Sequence, residues 1–440
     1  MPTRLIHRWR AALVVALMAA TLAACAGPQV NVTTITVGGS STEGTEVAPN
    51  VGCLNCSVYT PQQIRAAYGL TSLYDSGKRG QGQTVVIIDS YGSPTLQQDV
   101  ATFDRQFNLP AVQLQVLAPL GTVPFDSGNS EMQGWQGETT LDVEMVHAIA
   151  PEAKIVVLTS PVDETEGVAG LPQFLQLEQY AVDHHLGSIV SQSWAASEVS
   201  LNDAAGQAEL AKWNTFYQQA TTQKGVTFFG SSGDSGATDY TDASLSTFSP
   251  TPTTSFPDDN PWVTAVGGTT LTYSGGQYHE VVWNSGGASG GGISRFYSMP
   301  AFQQSLPQSD QQLLNGMRGV PDVAAAADPN TGLAIYYAGQ WTLAGGTSAA
   351  APLWAGLMAV ANQVAGRPLG YINPSLYKIA ASSHYASAFR DITAGDNSFL
   401  GKGVDVQGYQ ATTGWDPTTG LGSPNAANLI PLLIKYSQGG

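Results

Sequence analysis

The chain has 440 residues and a mass of 46.0 kDa, with 42% hydrophobic and only 11% charged residues. That apolar content supports a sizeable core and excludes a disordered chain. The 33 acidic side chains outnumber the 17 basic ones, for a net charge of −16, which excludes nucleic acid as a partner. Three cysteines are too few for a disulfide scaffold, and sparse charge with 49 glycines suggests a secreted protein, one working in acid.

Residues 1–24 read as a signal peptide. Arg4, Arg8 and Arg10 precede an uncharged run from Ala11 to Ala24. The run is roughly 14 residues, short of the ~20 that span a bilayer but suited to a signal-peptide core. It ends Leu22-Ala23-Ala24-Cys25, which resembles the bacterial lipobox and implies a membrane anchor through a lipidated Cys25 on the cell surface. An ordinary signal peptide with a chance cysteine, and so a secreted protein, is the plainer alternative. Residues 25–57 are rich in Gly, Ser, Thr, Val and Pro, with Glu43 and Glu46 as their only charges, and read as a flexible tether. Cys53 and Cys56 lack the further ligands of a zinc site, so a small disulfide is expected.

Residues 58–440 read as one large α/β domain and a monomer. Thr60-Pro61-Gln62-Gln63 predicts a helix start with a capping box. Thr84–Ile88, Lys154–Leu158, Ser188–Ser191, Val226–Phe229 and Trp262–Val266 are β-branched or apolar runs, as expected of strands buried on both faces. Helical patterns at Leu171–His185 and Asp203–Lys224 alternate with them, which predicts a mostly parallel, seven-stranded sheet with helices on both faces. The Gly- and Ser-rich stretches Asp242–Asn260 and Ser285–Gly292 read as surface loops.

Two motifs carry chemistry. Gly345-Gly346-Thr347-Ser348-Ala349-Ala350-Ala351-Pro352 follows a strand-like stretch, Leu333–Tyr337, and opens a helix. Ser348 there would meet amide dipoles that favour developing negative charge; a Ser/Thr cap on a packed Ala-rich helix is the bland alternative. A serine nucleophile needs a base, yet none of the six histidines sits in a motif that suggests one. Gly137–Pro151 offers carboxylates instead. With ~100° per residue, Asp142 falls about 40° from Glu138, and Leu141, Met145 and Ile149 lie on the same side, while Glu144 and His147 face away. Two acids one turn apart on an apolar face cannot both ionise easily, so they share a proton and one becomes a base in the acid range.

These motifs, with Ser191-Gln192-Ser193-Trp194, Gly230-Ser231-Ser232-Gly233-Asp234-Ser235-Gly236, Pro261–Thr269 and Gly414-Trp415-Asp416-Pro417, resemble the sedolisins, the serine-carboxyl peptidases with a subtilisin-like fold. The resemblance runs from about Tyr59 to the C-terminus. It implies an acid-active serine-type endopeptidase acting on proteins or peptides. Ser348 would be the nucleophile, Glu138 the general base and acid, Asp142 its partner, and Asp234 a protonated donor in the oxyanion hole. It further implies one structural Ca2+ held by Asp391 and Asp416 and the carbonyls of Ile392, Thr412 and Gly414. Ala195 stands where the family has glycine, in a stretch expected to pair with substrate. Such peptidases usually carry a long prodomain, whereas only residues 26–57 separate Cys25 from this domain. Asp89, at the end of its strand, is a rival acid that ranks below Asp142. A catalytically silent peptide-binding lipoprotein, and a neutral peptidase using Asp89 with a histidine, are the alternatives.

Overall fold

The apolar runs form the strands of one sheet. They are Thr84–Ser90 (β1), Gln113–Leu117 (β2), Lys154–Ser160 (β3), Ile189–Gln192 (β4), Thr227–Ser231 (β5), Val263–Ser274 (β6), Gln277–Val282 (β7) and Val323–Ala326 (β8). Seven run parallel in the order β8-β6-β5-β4-β1-β3-β2, and β7 folds back antiparallel on β6 as an eighth. The computed structural model describes residues 46–53, 56–401 and 403–437. The signal-peptide and Cys25 expectations lie outside the described residues.

Central strands alternate their side chains between two cores, as the two-residue period of a strand requires. Val85, Ile87, Ile155 and Val157 face one core, under helices Ser130–Ile149 and Thr347–Ala365. Val86, Ile88, Val156 and Leu158 face the other, under helices Leu171–Asp183 and Ala204–Lys224. With Pro61–Ala67 and Leu96–Phe107 preceding them, these are α1 to α6 in chain order: Pro61–Ala67 (α1), Leu96–Phe107 (α2), Ser130–Ile149 (α3), Leu171–Asp183 (α4), Ala204–Lys224 (α5) and Thr347–Ala365 (α6). The capping box of α1 is formed: the Gln63 amide donates to Thr60 Oγ1 at 3.2 Å, and the Thr60 amide donates to Gln63 Oε1 at 2.8 Å. The α3 and α6 helices lie side by side. A Cβ at Gly356 would sit 2.8 Å from Ile149 Cβ, so the approach needs glycine.

Two sequence expectations change. First, Glu144 and His147 are not on a solvated face; every residue from Thr139 to Ile149 is buried. The hairpin Ala334–Tyr337 (β9) and Gln340–Leu343 (β10) lies outside the main sheet and, with α2, covers that side of α3. The Tyr336 amide donates to Glu144 Oε2 at 3.0 Å, and His147 Nε2 lies 2.9 Å from Asp104. The strand-like stretch Leu333–Tyr337 supplies the first strand of this hairpin. Second, much of the two Gly/Ser-rich stretches is interior: Thr253–Asn260 and Ala288–Gly291 are buried. A Cβ at Gly290 would lie 1.7 Å from the Ser232 carbonyl, so small residues there mean close packing behind the strand end.

Within the stretch that composition assigns to a tether, Glu46 is packed on the domain, paired with Arg65 at 3.0 Å. Cys53 and Cys56 form a disulfide. No helix among the described residues is long and apolar enough to cross a membrane.

Candidate active site

Parallel strands gather loop residues at their carboxyl ends, and α/β sites form there. Asp89 lies in the last turn of β1, Ser193 just past β4, and Asp234 in the loop after β5. Across them stand the middle of α3 and the first turn of α6.

The start of α6 is set by Gly346, whose φ is +94°. A Cβ there would lie 2.4 Å from Asp234 Oδ2, so only glycine lets this carboxyl reach the helix end. Asp234 Oδ1 accepts from the Thr347 amide at 2.7 Å and from the Thr347 hydroxyl at 2.9 Å. The Gly233 amide donates back to Thr347 Oγ1 at 3.0 Å. Ser348, the next residue, is 8% exposed.

Glu138 lies beside it in the wall of the same cleft. Asp142 sits one turn further along α3, fully buried, and its Oδ1 accepts from Ser193 Oγ at 2.8 Å. Asp89 completes the group. Neither Asp89 oxygen makes a well-formed hydrogen bond, and Glu138 Oε1 and Asp142 Oδ2 are likewise sealed from solvent without one.

Carboxylates taken out of water without donors hold their protons. Burial, then the charge of Asp89, pushes Glu138 up to about 8, against the neighbouring Ser348 hydroxyl, which draws it down. Burial pushes Asp89 up to about 7. Asp142 is held well above the ordinary range by burial and then by Asp89 and Glu138. The three share their charge and titrate as a unit. Asp234 is also raised by burial, against its two bonds from Thr347.

The structure thus brings Glu138, Asp142, Asp234 and Ser348 into one site. Asp89 sits inside the cluster, closer to the chemistry than its sequence rank suggests. Ser193 and Thr347 emerge as positioning residues; both lie within singled-out motifs, but their hydroxyl roles depend on contacts across the fold. The cleft of about 210 Å³ that contains Ser348 and Glu138 has no histidine in its wall. His147 lies on the opposite side of α3.

The residues expected to hold calcium also converge. Asp391 accepts from the Gly414 amide at 3.1 Å and from the Tyr385 hydroxyl at 3.0 Å. Asp416 accepts from the Thr412 amide at 2.9 Å, and burial pushes it up to about 6. Both carboxyls face the loop 412–416, which carries the expected Thr412 and Gly414 carbonyls, and Ile392, the other expected carbonyl, directly follows Asp391. Among the described residues no three His, Cys, Asp or Glu are grouped so as to hold a metal ion on their own. An oxygen-only set with two carboxylates and several carbonyls fits a hard cation such as calcium.

No family model matches the chain. It is 37% identical over 390 residues to kumamolisin of Bacillus sp. strain MN-32, covering 87% of this chain and 65% of that protein. It is 33% identical over 376 residues to sedolisin of Pseudomonas sp. strain 101, covering 81% and 59%. It is 31% identical over 410 residues to human tripeptidyl-peptidase 1, covering 86% and 64%. The chain therefore spans a little under two thirds of the length of these relatives. Among solved structures, Pseudomonas sedolisin, a serine-carboxyl proteinase complexed with pseudo-iodotyrostatin, superposes with a TM-score of 0.72 at 28% identity, covering 87% of this chain and 99% of that one.

Proposed function

Since the chain belongs to the sedolisin family of serine-carboxyl peptidases, we propose that it is an acid-active serine-type endopeptidase that cuts proteins or peptides at Ser348. The observation that carries the reading is the placing of Ser348, Glu138 and Asp234 in the wall of one cleft, with Glu138 in a cluster of buried acids.

The chemistry follows from the residues. Ser348 Oγ attacks the substrate carbonyl carbon while its proton passes to ionised Glu138. The carbonyl oxygen takes the negative charge beside Asp234, which donates a hydrogen bond because it is protonated. The C–N bond then breaks, Glu138 returns the proton to the leaving amine, and an acyl group remains on Ser348. Water reverses these steps. Asp142, held by Ser193, keeps Glu138 oriented.

Acid activity has a physical cause. In a coupled cluster the first proton leaves against no neighbouring charge, so it leaves at a lower pH than the rest. Burial holds Asp89 up to about 7, and burial with the charge of Asp89 holds Glu138 up to about 8. One charge suffices for the base. Asp234 loses its proton as pH rises, and the oxyanion donor with it.

Two further parts of the reading lie away from the reaction. A calcium ion at Asp391, Asp416 and the carbonyls of Ile392, Thr412 and Gly414 would tie down the C-terminal segment and supply no chemistry to the cleavage. Cleavage before Cys25 and lipidation there would hold the enzyme on the outer face of a bacterial membrane; the lipobox-like sequence supports this.

The test is a pH–rate profile on mixed peptides with mass analysis of the products. The expected profile has an acidic optimum and internal cleavages, and both vanish in Ser348→Ala. Equal digestion of denatured protein by wild type and Ser348→Ala at every pH would overturn the reading.

A further inference from the structure

The Asp234 carboxyl is held by Thr347, but the backbone that carries it is placed from elsewhere. The strand β5 ends at Ser231, so the loop beyond it needs other partners for its amides and carbonyls. The stretch 284–291 supplies them. The Ala288 amide donates to the Asp234 carbonyl at 2.9 Å, and the Gly236 amide donates to the Ala288 carbonyl at 3.0 Å. The Gly290 amide donates to the Gly233 carbonyl at 2.7 Å. Asp234 is thus gripped from both sides by a stretch that is itself outside the sheet.

Both pieces end on one residue of the C-terminal segment. Asn397 is fully buried. Its carbonyl accepts from the Ala237 amide at 2.9 Å, and its Nδ2 donates to the Gly291 carbonyl at 3.2 Å. One residue therefore ties the far end of the Asp234 loop to the far end of the stretch that grips it. Asn397 is fixed in turn by Tyr409, whose amide donates to Oδ1 at 2.8 Å and whose carbonyl accepts from the Asn397 amide at 3.1 Å. On either side of it, the Asp396 and Ser398 carbonyls accept from Asn284 Nδ2, each at 3.1 Å.

The fit leaves no slack. A Cβ at Gly236, where φ is +63°, would lie 2.3 Å from the Asn397 carbonyl oxygen, and one at Gly408 would lie 2.5 Å from its Oδ1. Glycines on two sides let three stretches of backbone meet at one amide. Burying a primary amide is costly unless it is bonded, and packing alone would be served by an apolar side chain. What the amide adds is direction, with an acceptor for residue 409 and a donor for residue 291 on one rigid group.

A protonated carboxyl helps an oxyanion only where its O–H reaches the place the oxygen will occupy. We propose that Asn397 is a positioning residue for that step: by tying Ala237 to Gly291 it sets how far Asp234 stands from Ser348. The proposal rests on Asp234 being the oxyanion donor. Asn397 is absent from the wall of the Ser348 cleft, so it acts through Asp234 and not on substrate.

The test is a double-mutant cycle read as kcat and KM on one peptide, per folded molecule. Asn397→Ala should lower kcat by about 10- to 100-fold, the cost of displacing a reacting group by roughly 1 Å, and leave KM nearly unchanged. In Asp234→Ala no donor is left to place, so the same substitution should lower kcat by less than about threefold. Should the alanine variant fail to fold, Asn397→Asp decides. Its protonated carboxyl can still accept from Tyr409 and donate to Gly291, so at low pH it should run close to wild type. Ionisation removes that donor, so its kcat relative to wild type should fall as pH rises. Equal losses from Asn397→Ala in the two backgrounds would overturn the proposal, as would an Asn397→Asp variant that tracks wild type at every pH. An Asp234→Ala variant as fast as wild type would take the oxyanion reading down with it. A slow Asp234→Ala beside an unimpaired Asn397→Ala would sink this proposal alone.

Discussion

Asp322 and Glu138 are both carboxyls removed from water, and they are neutralised in different ways. Asp322, just before β8, is fully buried and faces fully buried Arg318. Its oxygens accept from the Arg318 guanidinium at 2.8 and 2.5 Å, the Tyr377 hydroxyl at 2.8 Å and the Ala265 amide at 2.9 Å. Glu138 has Asp89, Asp142 and Asp234 for neighbours, and its inner oxygen has no donor. The protein neutralises one acid with a cation and the other with a proton. Only the second kind can pass a proton on, so the difference separates a structural carboxyl from a reactive one.

The largest expected effect falls on the reactive side. Glu138→Gln keeps the shape but cannot take the Ser348 proton, so turnover should drop by about 10⁴-fold or more, as when one member of a catalytic unit is removed. Its melting temperature at pH 7 should be no lower than wild type, because a strained acid is gone. Asp322→Asn should do the reverse. Leaving Arg318 buried and unpaired costs about 3–5 kcal/mol, read by urea unfolding, while turnover per folded molecule stays within about twofold. A Glu138→Gln variant that unfolds and an Asp322→Asn variant that stays stable would erase the distinction.

Asp234 lies between the two cases, since it has donors from Thr347 and is still raised by burial. Its substitutions sharpen the comparison. Asp234→Ala removes one oxyanion donor and should cost about 10²–10³ in turnover. Asp234→Asn keeps a neutral donor that does not ionise, so the alkaline limb of its pH–rate profile should move to higher pH. An unmoved limb would mean that another group sets it.

The acid pair was legible in the sequence because its signal is local. Helical spacing places Glu138 and Asp142 on the side of Leu141, Met145 and Ile149, and charges on an apolar side need a reason. The β-branched runs were legible for the same cause: each strand's burial is written in consecutive residues. What failed was the inference from polarity to exposure at particular positions. Glu144 and His147 are polar yet buried, because a distant hairpin supplies the Tyr336 amide and α2 supplies Asp104. The full wall of the Ser348 cleft was invisible for a related reason. Its walls come from residues as far apart as Glu131 and Leu245, and no window along the chain brings them together.

The smallest effect expected is on stability across pH. In the unfolded chain Asp89 and Glu138 titrate near 4; in the folded protein they stand at about 7 and about 8. Between those values the folded state holds protons that the unfolded chain has released. Stability is then fully present below about pH 4 and is lost as pH rises toward 8, with a limiting slope of about 1.4 kcal/mol per pH unit for each proton held. General repulsion in a chain of net charge −16 works in the same direction, so wild type alone cannot assign the cause. Variants can. Asp89→Asn and Glu138→Gln should each flatten the fall in melting temperature between pH 4 and 8, whereas Asp322→Asn should lower the curve and keep its slope. Wild-type stability that rises across this range would mean that these acids are charged in the folded state, and the proton-neutralised half of the comparison would go with it.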